Sequence, residues 1–171
     1  MSRRPLPLLA LVLLGGCASQ APVQLPAIGP VGAARVVAGA GEEPVMTGTL
    51  VVYSEELPVS KHRSAPSFLH TGYVILRANG QVLTKVDNHN ALVEAEPEEV
   101  PLKAGLYEVR ARGAKVGTIV VPVLISPGRR TDVYLDAEGM PAAQARALTD
   151  PVKLADGRVV GARAVAGESK P

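Results

Sequence analysis

The sequence predicts an all-β protein that folds as a single antiparallel β-sandwich, and three observations support this prediction. Aromatic residues are scarce, with four tyrosines, one phenylalanine and no tryptophan, so a core must be built from Val, Leu and Ile. From residue 47 onward, short β-branched runs alternate with turn residues, as they do in sandwiches. An Asn79-Gly80 pair between two of these runs is a strong signal for a hairpin.

Seven candidate strands follow one another between residues 47 and 136. They read "TGTLVVYS", "GYVILRA", "QVLTKVD", "EEVPL", "LYEVRAR", "TIVVPVLI" and "RTDVYLD". The run at 118–125 is apolar on both faces, which is typical of a strand buried in the middle of a sheet. Within it, Pro122 has no N–H for the ladder, so we expect a β-bulge there. The final run alternates cleanly between its two faces.

The first 16 residues have the features of a secretory signal. Arg3 and Arg4 form a basic start, and "PLPLLALVLLGGC" begins with an apolar run. This run is too short for a transmembrane helix, which needs roughly 20 apolar residues, but it fits the apolar core of a signal, about 7–15 residues long. The sequence Leu14-Gly15-Gly16-Cys17 then resembles a bacterial lipobox, in which a leucine and two small residues precede a cysteine.

The lipobox resemblance implies cleavage before Cys17 and covalent attachment of lipid to its sulfur and its new amino group. Two or more acyl chains anchor a protein stably, because each buried methylene contributes about 0.8 kcal/mol. Ala18 stands where an inner-membrane retention signal usually has aspartate, so the resemblance favours the outer membrane. We expect the domain to lie on the periplasmic face. Cys17 is the only cysteine of the chain, which excludes an intramolecular disulfide.

Charge gives no reason to expect a nucleic-acid partner. The chain has 18 basic and 16 acidic side chains. Removal of residues 1–16 takes away Arg3 and Arg4, which leaves 16 side chains of each sign and a formally neutral protein. The sequence therefore lacks the strongly basic balance that marks nucleic-acid binding.

The rest of the chain divides into three parts. Residues 17–45 are rich in Ala, Gly and Pro, and they predict the lipidated cysteine followed by a flexible linker. An early strand near residues 35–38 is the alternative. Residues 46–136 form the predicted sandwich. Residues 137–171 predict a short C-terminal extension, with a helix in "MPAAQARALTD" and a hairpin about Asp156-Gly157.

A resemblance to known domains lies in residues 100–136. This stretch has an apolar strand, Ala104-Gly105, a strand that contains Tyr107, and Pro127-Gly128 before a last apolar strand. It resembles the carboxypeptidase regulatory-like and PEGA-type domains, which are small prealbumin-like, Ig-like sandwiches. With the hairpin at Asn79-Gly80, the domain is similar to bacterial envelope lipoproteins built in the same way. Domains of this fold are mostly binding, spacer or accessory modules, and the resemblance implies such a role.

Two of the three histidines flank the Asn79-Gly80 pair at equal distances. With a two-residue loop, His70 stands opposite His89 with Cβ atoms about 5 Å apart, and Asp87 lies diagonally near His70. This arrangement would bring together ligands for zinc or copper, although a catalytic zinc needs three protein ligands and a water. With a three-residue loop and a glycine bulge, the second strand turns over and His89 points away. The first register is the stronger Asn-Gly signal, whereas the second separates apolar from polar faces more cleanly.

The segment at residues 54–69, "SEELPVSKHRSAPSFL", is a long connection between two strands. Connections longer than about 12–15 residues tend to be functional or disordered. Lys61, His62 and Arg63 make a small basic patch, and Phe68 is the only phenylalanine. These four residues are the candidates for a contact with a partner. The alternative is a mobile insertion with Phe68 and Leu69 packed back onto the core.

Catalytic chemistry has little support in the sequence. The lone cysteine is assigned to the lipid, no Gly-x-Ser-x-Gly motif occurs, and the serines near His62 and His70 fall in a connection that would not hold a triad rigidly. We therefore expect a non-enzymatic outer-membrane lipoprotein with an accessory or binding role toward an envelope protein or the cell wall, and no cofactor besides its lipid. A periplasmic metal-binding lipoprotein that uses His70 and His89 is the alternative, and a transthyretin-like hydrolase is a third hypothesis.

Overall fold

Strands in three sheets and one short helix make up the part of the chain that the structure describes. The computed structural model describes residues 21–31, 46–59, 67–88 and 96–165. In chain order the elements are β1 (Val23–Gln24), β2 (Ile28–Gly29), β3 (Thr47–Tyr53), β4 (Glu56–Val59), β5 (Ser67–His70), β6 (Tyr73–Arg77), β7 (Val82–Val86), β8 (Glu99–Lys103), β9 (Gly105–Gly113), β10 (Gly117–Ile125), β11 (Arg130–Tyr134), α1 (Ala142–Arg146), β12 (Pro151–Lys153) and β13 (Val159–Arg163). The all-β prediction is confirmed, and the seven predicted strands are β3 and β6 to β11.

The strands form one large sheet, one small sheet and a separate hairpin. The large sheet has eight strands in the order β12-β13-β2-β10-β9-β6-β7, and β1 also pairs with β10. The small sheet has the order β11-β3-β8, and β4 pairs with β5. Leu50, Val52 and Val133 of the small sheet share one buried cluster with Val109 and Val121 of the large sheet. Strand alternation explains this core, because every second side chain of each strand points to the same side.

The sheets are not purely antiparallel, which corrects the sequence prediction. Strand β11 lies parallel to β3, and both β1 and β2 lie parallel to β10. Parallel neighbours need a long crossover between them. The chain supplies these crossovers because β4 to β10 separate β3 from β11 in sequence, and an alternating pattern of side chains does not reveal such connections.

The expected flexible linker is wrong for residues 21–31, because this segment contributes to the large sheet. Ile28 is 0% exposed and belongs to the hydrophobic core. Strand β2 lies between β10 and β13, and it pairs with both. Three prolines in residues 21–31 limit each paired run to two residues, so no periodicity is visible. Residues 32–45, which include the alternative strand near 35–38, lie outside the described residues.

The β-bulge expected at Pro122 is also wrong. The ladder between β9 and β10 runs without a shift, and Pro122 pairs with Glu108. Val120 accepts a hydrogen bond from the Leu25 N–H on the β1 side of β10, at 3.0 Å. Backbone groups two residues apart point to the same side of a strand, so the nitrogen of Pro122 also faces that side. There residues 26 and 27 connect β1 to β2 without a strand pairing. No ladder bond is lost there.

The hairpin between β6 and β7 combines the two predicted registers. Gly80, with φ of 82°, ends a three-residue loop in which the Gly80 N–H donates to the Arg77 carbonyl at 2.8 Å. Leu76 then pairs with Val82, as in the three-residue register, but a shift follows and Tyr73 pairs with Val86, as in the two-residue register. Leu83 is the extra residue of the second strand. This one-residue bulge returns the pairs beyond it to the register that a two-residue loop would give.

The C-terminal elements were predicted correctly, but their place in the fold was not. Helix α1 and the β12–β13 hairpin are both present, with φ of 90° at Gly157 in the turn. The hairpin is not an extension, because β13 pairs with β2 and Val152, Leu154 and Val160 are buried in the core. The predicted boundary at residue 136 therefore cuts through one sheet. Within the described ranges, no helix is long and apolar enough to cross a membrane.

Candidate functional site

A cavity of about 530 Å³ lies on the outward face of the small sheet. Its floor contains two tyrosines from neighbouring parallel strands, since Tyr53 of β3 is paired with Tyr134 of β11. Val52 and Val133, which precede them, point into the core, so alternation turns both tyrosines outward. Their rings stack with centroids 4.4 Å apart and planes 7° apart.

Hydrogen bonds hold the floor in one arrangement. Arg130 donates from Nη2 to the Tyr53 hydroxyl at 3.1 Å, from Nη1 to Glu99 Oε1 at 2.6 Å and from Nε to Asp132 Oδ1 at 2.7 Å. The Tyr134 hydroxyl donates to Gln144 Oε1 of α1 at 3.1 Å. Burial raises the pKa of Tyr134 above its ordinary value. Its phenol therefore stays protonated and remains a donor at physiological pH.

One wall of the cavity comes from the β4–β5 hairpin. Glu56 and His70 are cross-strand partners in this hairpin, and both line the cavity. Alternation places Pro58 and Phe68, the next pair with the same orientation, on the same face of the hairpin and further toward its tip. Phe68 is 42% exposed. The face that carries Glu56 and His70 therefore continues as an apolar ledge formed by Pro58 and Phe68.

His70 is the most buried ionisable side chain of this wall. Its Nδ1 lies 2.8 Å from the Ser54 carbonyl oxygen, and a carbonyl only accepts, so Nδ1 carries the proton. Its Nε2 lies 3.8 Å from Glu56 Oε1, with only 3% of the imidazole exposed. The ring contacts Tyr53 edge to face, with centroids 6.0 Å apart. The imidazole is thus held rigidly at the junction of floor and wall.

Another part of the lining is acidic. Asp136, Glu138, Gly139 and Pro141 line it, directly after β11. The Gly139 N–H donates to Asp136 Oδ1 at 2.6 Å, which closes the turn. Burial is the main cause that raises the pKa of the Asp136 carboxyl above its ordinary value. This carboxyl therefore takes up a proton more readily than one in water.

A buried asparagine, Asn88, holds the ends of the β4–β5 hairpin that forms one wall of the cavity. Asn88 is 0% exposed and has φ of 59°. Its Nδ2 donates to the Val52 carbonyl at 2.9 Å and to Ser54 Oγ at 3.0 Å, and its Oδ1 accepts from the Glu98 N–H at 3.0 Å. Ser54 Oγ in turn donates to the Thr71 carbonyl at 2.6 Å. These bonds fix the two ends of the β4–β5 hairpin and the approach to β8.

Of the three predicted metal ligands, His70 lies on a different hairpin from the one predicted. The β6–β7 ladder ends at Tyr73 and Val86, and His70 belongs to β5, where it faces Glu56. Asp87 is exposed and follows β7 directly. His89 lies outside the described residues. Within the described part of the chain, no group of three or more His, Cys, Asp or Glu side chains could hold a metal ion. Binding of zinc or copper by His70, His89 and Asp87 stays a prediction.

The predicted partner-contact segment is a β-hairpin rather than an irregular loop. Strands β4 and β5 were missed because Pro58 and a polar sequence hide their pairing. The exposure of Phe68 contradicts the alternative in which its ring packs back onto the core. The basic patch of Lys61, His62 and Arg63 lies outside the described residues, as does the lipidation residue, Cys17.

Most residues of the cavity were not found by sequence reasoning. Tyr53, Arg130 and Tyr134 lie on the outward faces of two predicted strands, so their alternation was visible. The missing information was that these two strands, about 80 residues apart in sequence, are parallel neighbours. The signal in the sequence that could have indicated this pairing is the tyrosine near the end of each strand.

Comparisons with known proteins do not test the resemblance of residues 100–136 to carboxypeptidase regulatory-like and PEGA-type domains, which stays a prediction. No protein-family model, no curated protein and no solved structure matches the chain.

Proposed function

We propose that this protein is a non-enzymatic lipoprotein of the outer membrane that acts as a binding module in the cell envelope. In this proposal Cys17 carries the lipid, the domain is a prealbumin-like sandwich that faces the periplasm, and the partner is an envelope protein or a cell-wall component. The observation that carries the binding role is the cavity between the tyrosine floor and the β4–β5 hairpin. Its volume falls within the roughly 300–1,000 Å³ of typical ligand sites.

The exposed apolar ledge beside the cavity supports a macromolecular partner. Phe68 of this ledge is 42% exposed, and aromatic side chains are enriched at the centres of protein interfaces. The cavity supplies polar groups and the ledge supplies apolar surface, which is the composition of a recognition site.

The arrangement of Ser54 and His70 supports a role without catalysis. His70 Nδ1 donates to the backbone carbonyl of Ser54, whereas Ser54 Oγ donates to the Thr71 carbonyl. A serine nucleophile needs its hydroxyl hydrogen-bonded to the base that removes its proton. Here each polar group instead holds the backbone of a neighbouring strand.

Replacement of Cys17 with serine is expected to release the protein from membranes, because the thiol is the attachment point that the lipobox resemblance implies. The measurement is fractionation of cells that express either form, followed by detection in the soluble and outer-membrane fractions. Ser19→Ala, two residues away, is the matched control and should stay in the membrane fraction. Retention of the Cys17→Ser protein in that fraction would refute the lipid anchor.

A photoreactive amino acid at Phe68 is expected to capture a defined partner in intact cells, because this side chain is exposed at the cavity ledge. The control places the same group at Val82, which is 57% exposed and lies at the start of β7. A cross-linked species found with residue 68 and missing with residue 82 supports the binding role. The same products from both positions, or none from residue 68, would contradict it.

A further inference from the structure

We infer that the cavity recognises a protonated amine or guanidinium group on a peptide segment, and that His70 Nε2 and the Glu56 carboxylate accept its hydrogen bonds. This inference rests on the proposed binding function and names the chemistry of its ligand. Three features of the cavity carry it: the imidazole of His70 in its lining, an excess of carboxylates and the adjoining apolar ledge.

The first feature is Nε2 of His70, whose side chain lines the cavity. Because Nδ1 donates to the Ser54 carbonyl, the imidazole in its neutral form presents an acceptor lone pair at Nε2. The side chain is 97% buried, and the nearest charged group is Glu56 Oε1 at 3.8 Å, beyond hydrogen-bond distance. Two acceptors therefore face each other across a gap that lines the cavity. An N–H donor about 2.9 Å from both atoms fits this gap.

The charges around the cavity favour a cationic donor over a neutral one. Five carboxylates line it, and one guanidinium opposes them; these residues are Glu56, Glu96, Glu99, Asp136, Glu138 and Arg130. Arg130 is already engaged by Glu99, Asp132 and the Tyr53 hydroxyl, so it is not available to balance the remaining acids. Charged hydrogen bonds are also stronger than neutral ones.

The ledge indicates that the cation is carried by a peptide rather than by a free polyamine. Pro58 and Phe68 extend the Glu56–His70 face outward. A peptide whose cationic side chain is held at Nε2 would have its backbone and neighbouring residues against this ledge. A free polyamine would instead place a second charge within three or four methylenes of the bound one, next to the apolar ledge. A metal ion is disfavoured because no third His, Cys, Asp or Glu joins His70 and Glu56 among the described residues.

The test uses the full-length protein purified in a nonionic detergent and isothermal titration calorimetry with three probes. The first is an acetylated and amidated Ala-Arg-Ala peptide, and the second is the same peptide with citrulline, which has nearly the shape of arginine without its charge. Spermidine is the third probe. We expect the arginine peptide to bind at least tenfold more tightly than the citrulline peptide, because a charged hydrogen-bonded pair contributes on this order.

Two variants locate the binding. Glu56→Gln keeps the side-chain shape and, at a 41% exposed position, should leave the fold intact; we expect it to weaken the arginine peptide about tenfold. Glu108→Gln is the matched control, since Glu108 is similarly exposed, pairs with Arg110 at 2.7 Å and lies away from the cavity. Phe68→Ala should weaken the peptide about fivefold and leave spermidine unchanged, which separates the two sources of the cation.

Equal affinity for the arginine and citrulline peptides, or equal effects of Glu56→Gln and Glu108→Gln, would overturn the inference. Binding of zinc without binding of the arginine peptide would overturn it in favour of the metal hypothesis. Failure of this inference can be distinguished from failure of the proposed function. A partner captured from residue 68 together with no affinity for the arginine peptide refutes the cation alone, whereas peptide binding without any captured partner refutes the envelope role.

Discussion

Ile28→Ala is expected to lower the free energy of unfolding by about 3 kcal/mol, within the range for large-to-small changes in a core. Ile28 is fully buried although it lies in the segment that the sequence predicts to be a linker. It contacts the core beneath β13, where Gly161 has no side chain: a Cβ at that position would lie 2.7 Å from Ile28 Cγ2. Truncation of Ile28 therefore leaves a cavity between two strands that cannot close easily. The measurement is urea denaturation of the purified protein.

Val23→Ala in the same segment is the matched control for this result. Val23 of β1 is 36% exposed, so its truncation should cost less than about 1 kcal/mol. The difference between the two variants separates burial from any general effect on the segment. Equal, small effects at residues 23 and 28 would mean that the segment is a linker after all, and that β2 contributes nothing to stability.

Asn88→Ala is expected to cost about 3 kcal/mol of stability, through two separate effects. Removal of the amide takes away the acceptor of the Glu98 N–H and both donated bonds to Val52 and Ser54, and each buried group left unsatisfied costs about 1–3 kcal/mol. Alanine is also strained at φ of 59°, which adds about 1 kcal/mol. The measurement is again urea denaturation, with the midpoint and the slope compared with those of the parent protein.

Two further variants resolve these effects. Asn88→Gly loses the same hydrogen bonds but accepts a positive φ, so it should be about 1 kcal/mol more stable than Asn88→Ala. Asn79→Ala removes an asparagine whose bonds to Gln81 are exposed, and it should cost less than about 1 kcal/mol. A loss at residue 88 no larger than the loss at residue 79 would show that the buried network does not hold the hairpin wall.

The strands were predictable because they depend on local patterns. Short runs of Val, Ile and Leu, interrupted by turn residues, correctly predicted β3 and β6 to β11. The Asp156-Gly157 turn and helix α1 were also correct, since turn residues and a short Ala-rich run act over a few positions. Where prolines shortened a strand to two residues, as in β1 and β2, the local pattern had too few positions to show a period.

The candidate site depended on contacts that no local pattern encodes. The stacking of Tyr53 on Tyr134 requires that β3 and β11 be parallel neighbours. The pairing of His70 with Glu56 requires the β4–β5 hairpin, although the sequence had suggested that His70 belonged to the hairpin at Asn79-Gly80. Both arrangements come from pairing between segments that the sequence leaves unassigned.

The sequence by itself determined the all-β class, most of the strands and the turn at Asn79-Gly80, because side-chain alternation and backbone preferences of glycine and asparagine act within a few residues. Only the tertiary structure decided the register beyond the turn, the inclusion of residues 21–31 in the large sheet, and the neighbours of His70. These features follow from the burial of apolar surface between distant strands, and that free energy belongs to the assembled core rather than to any one segment.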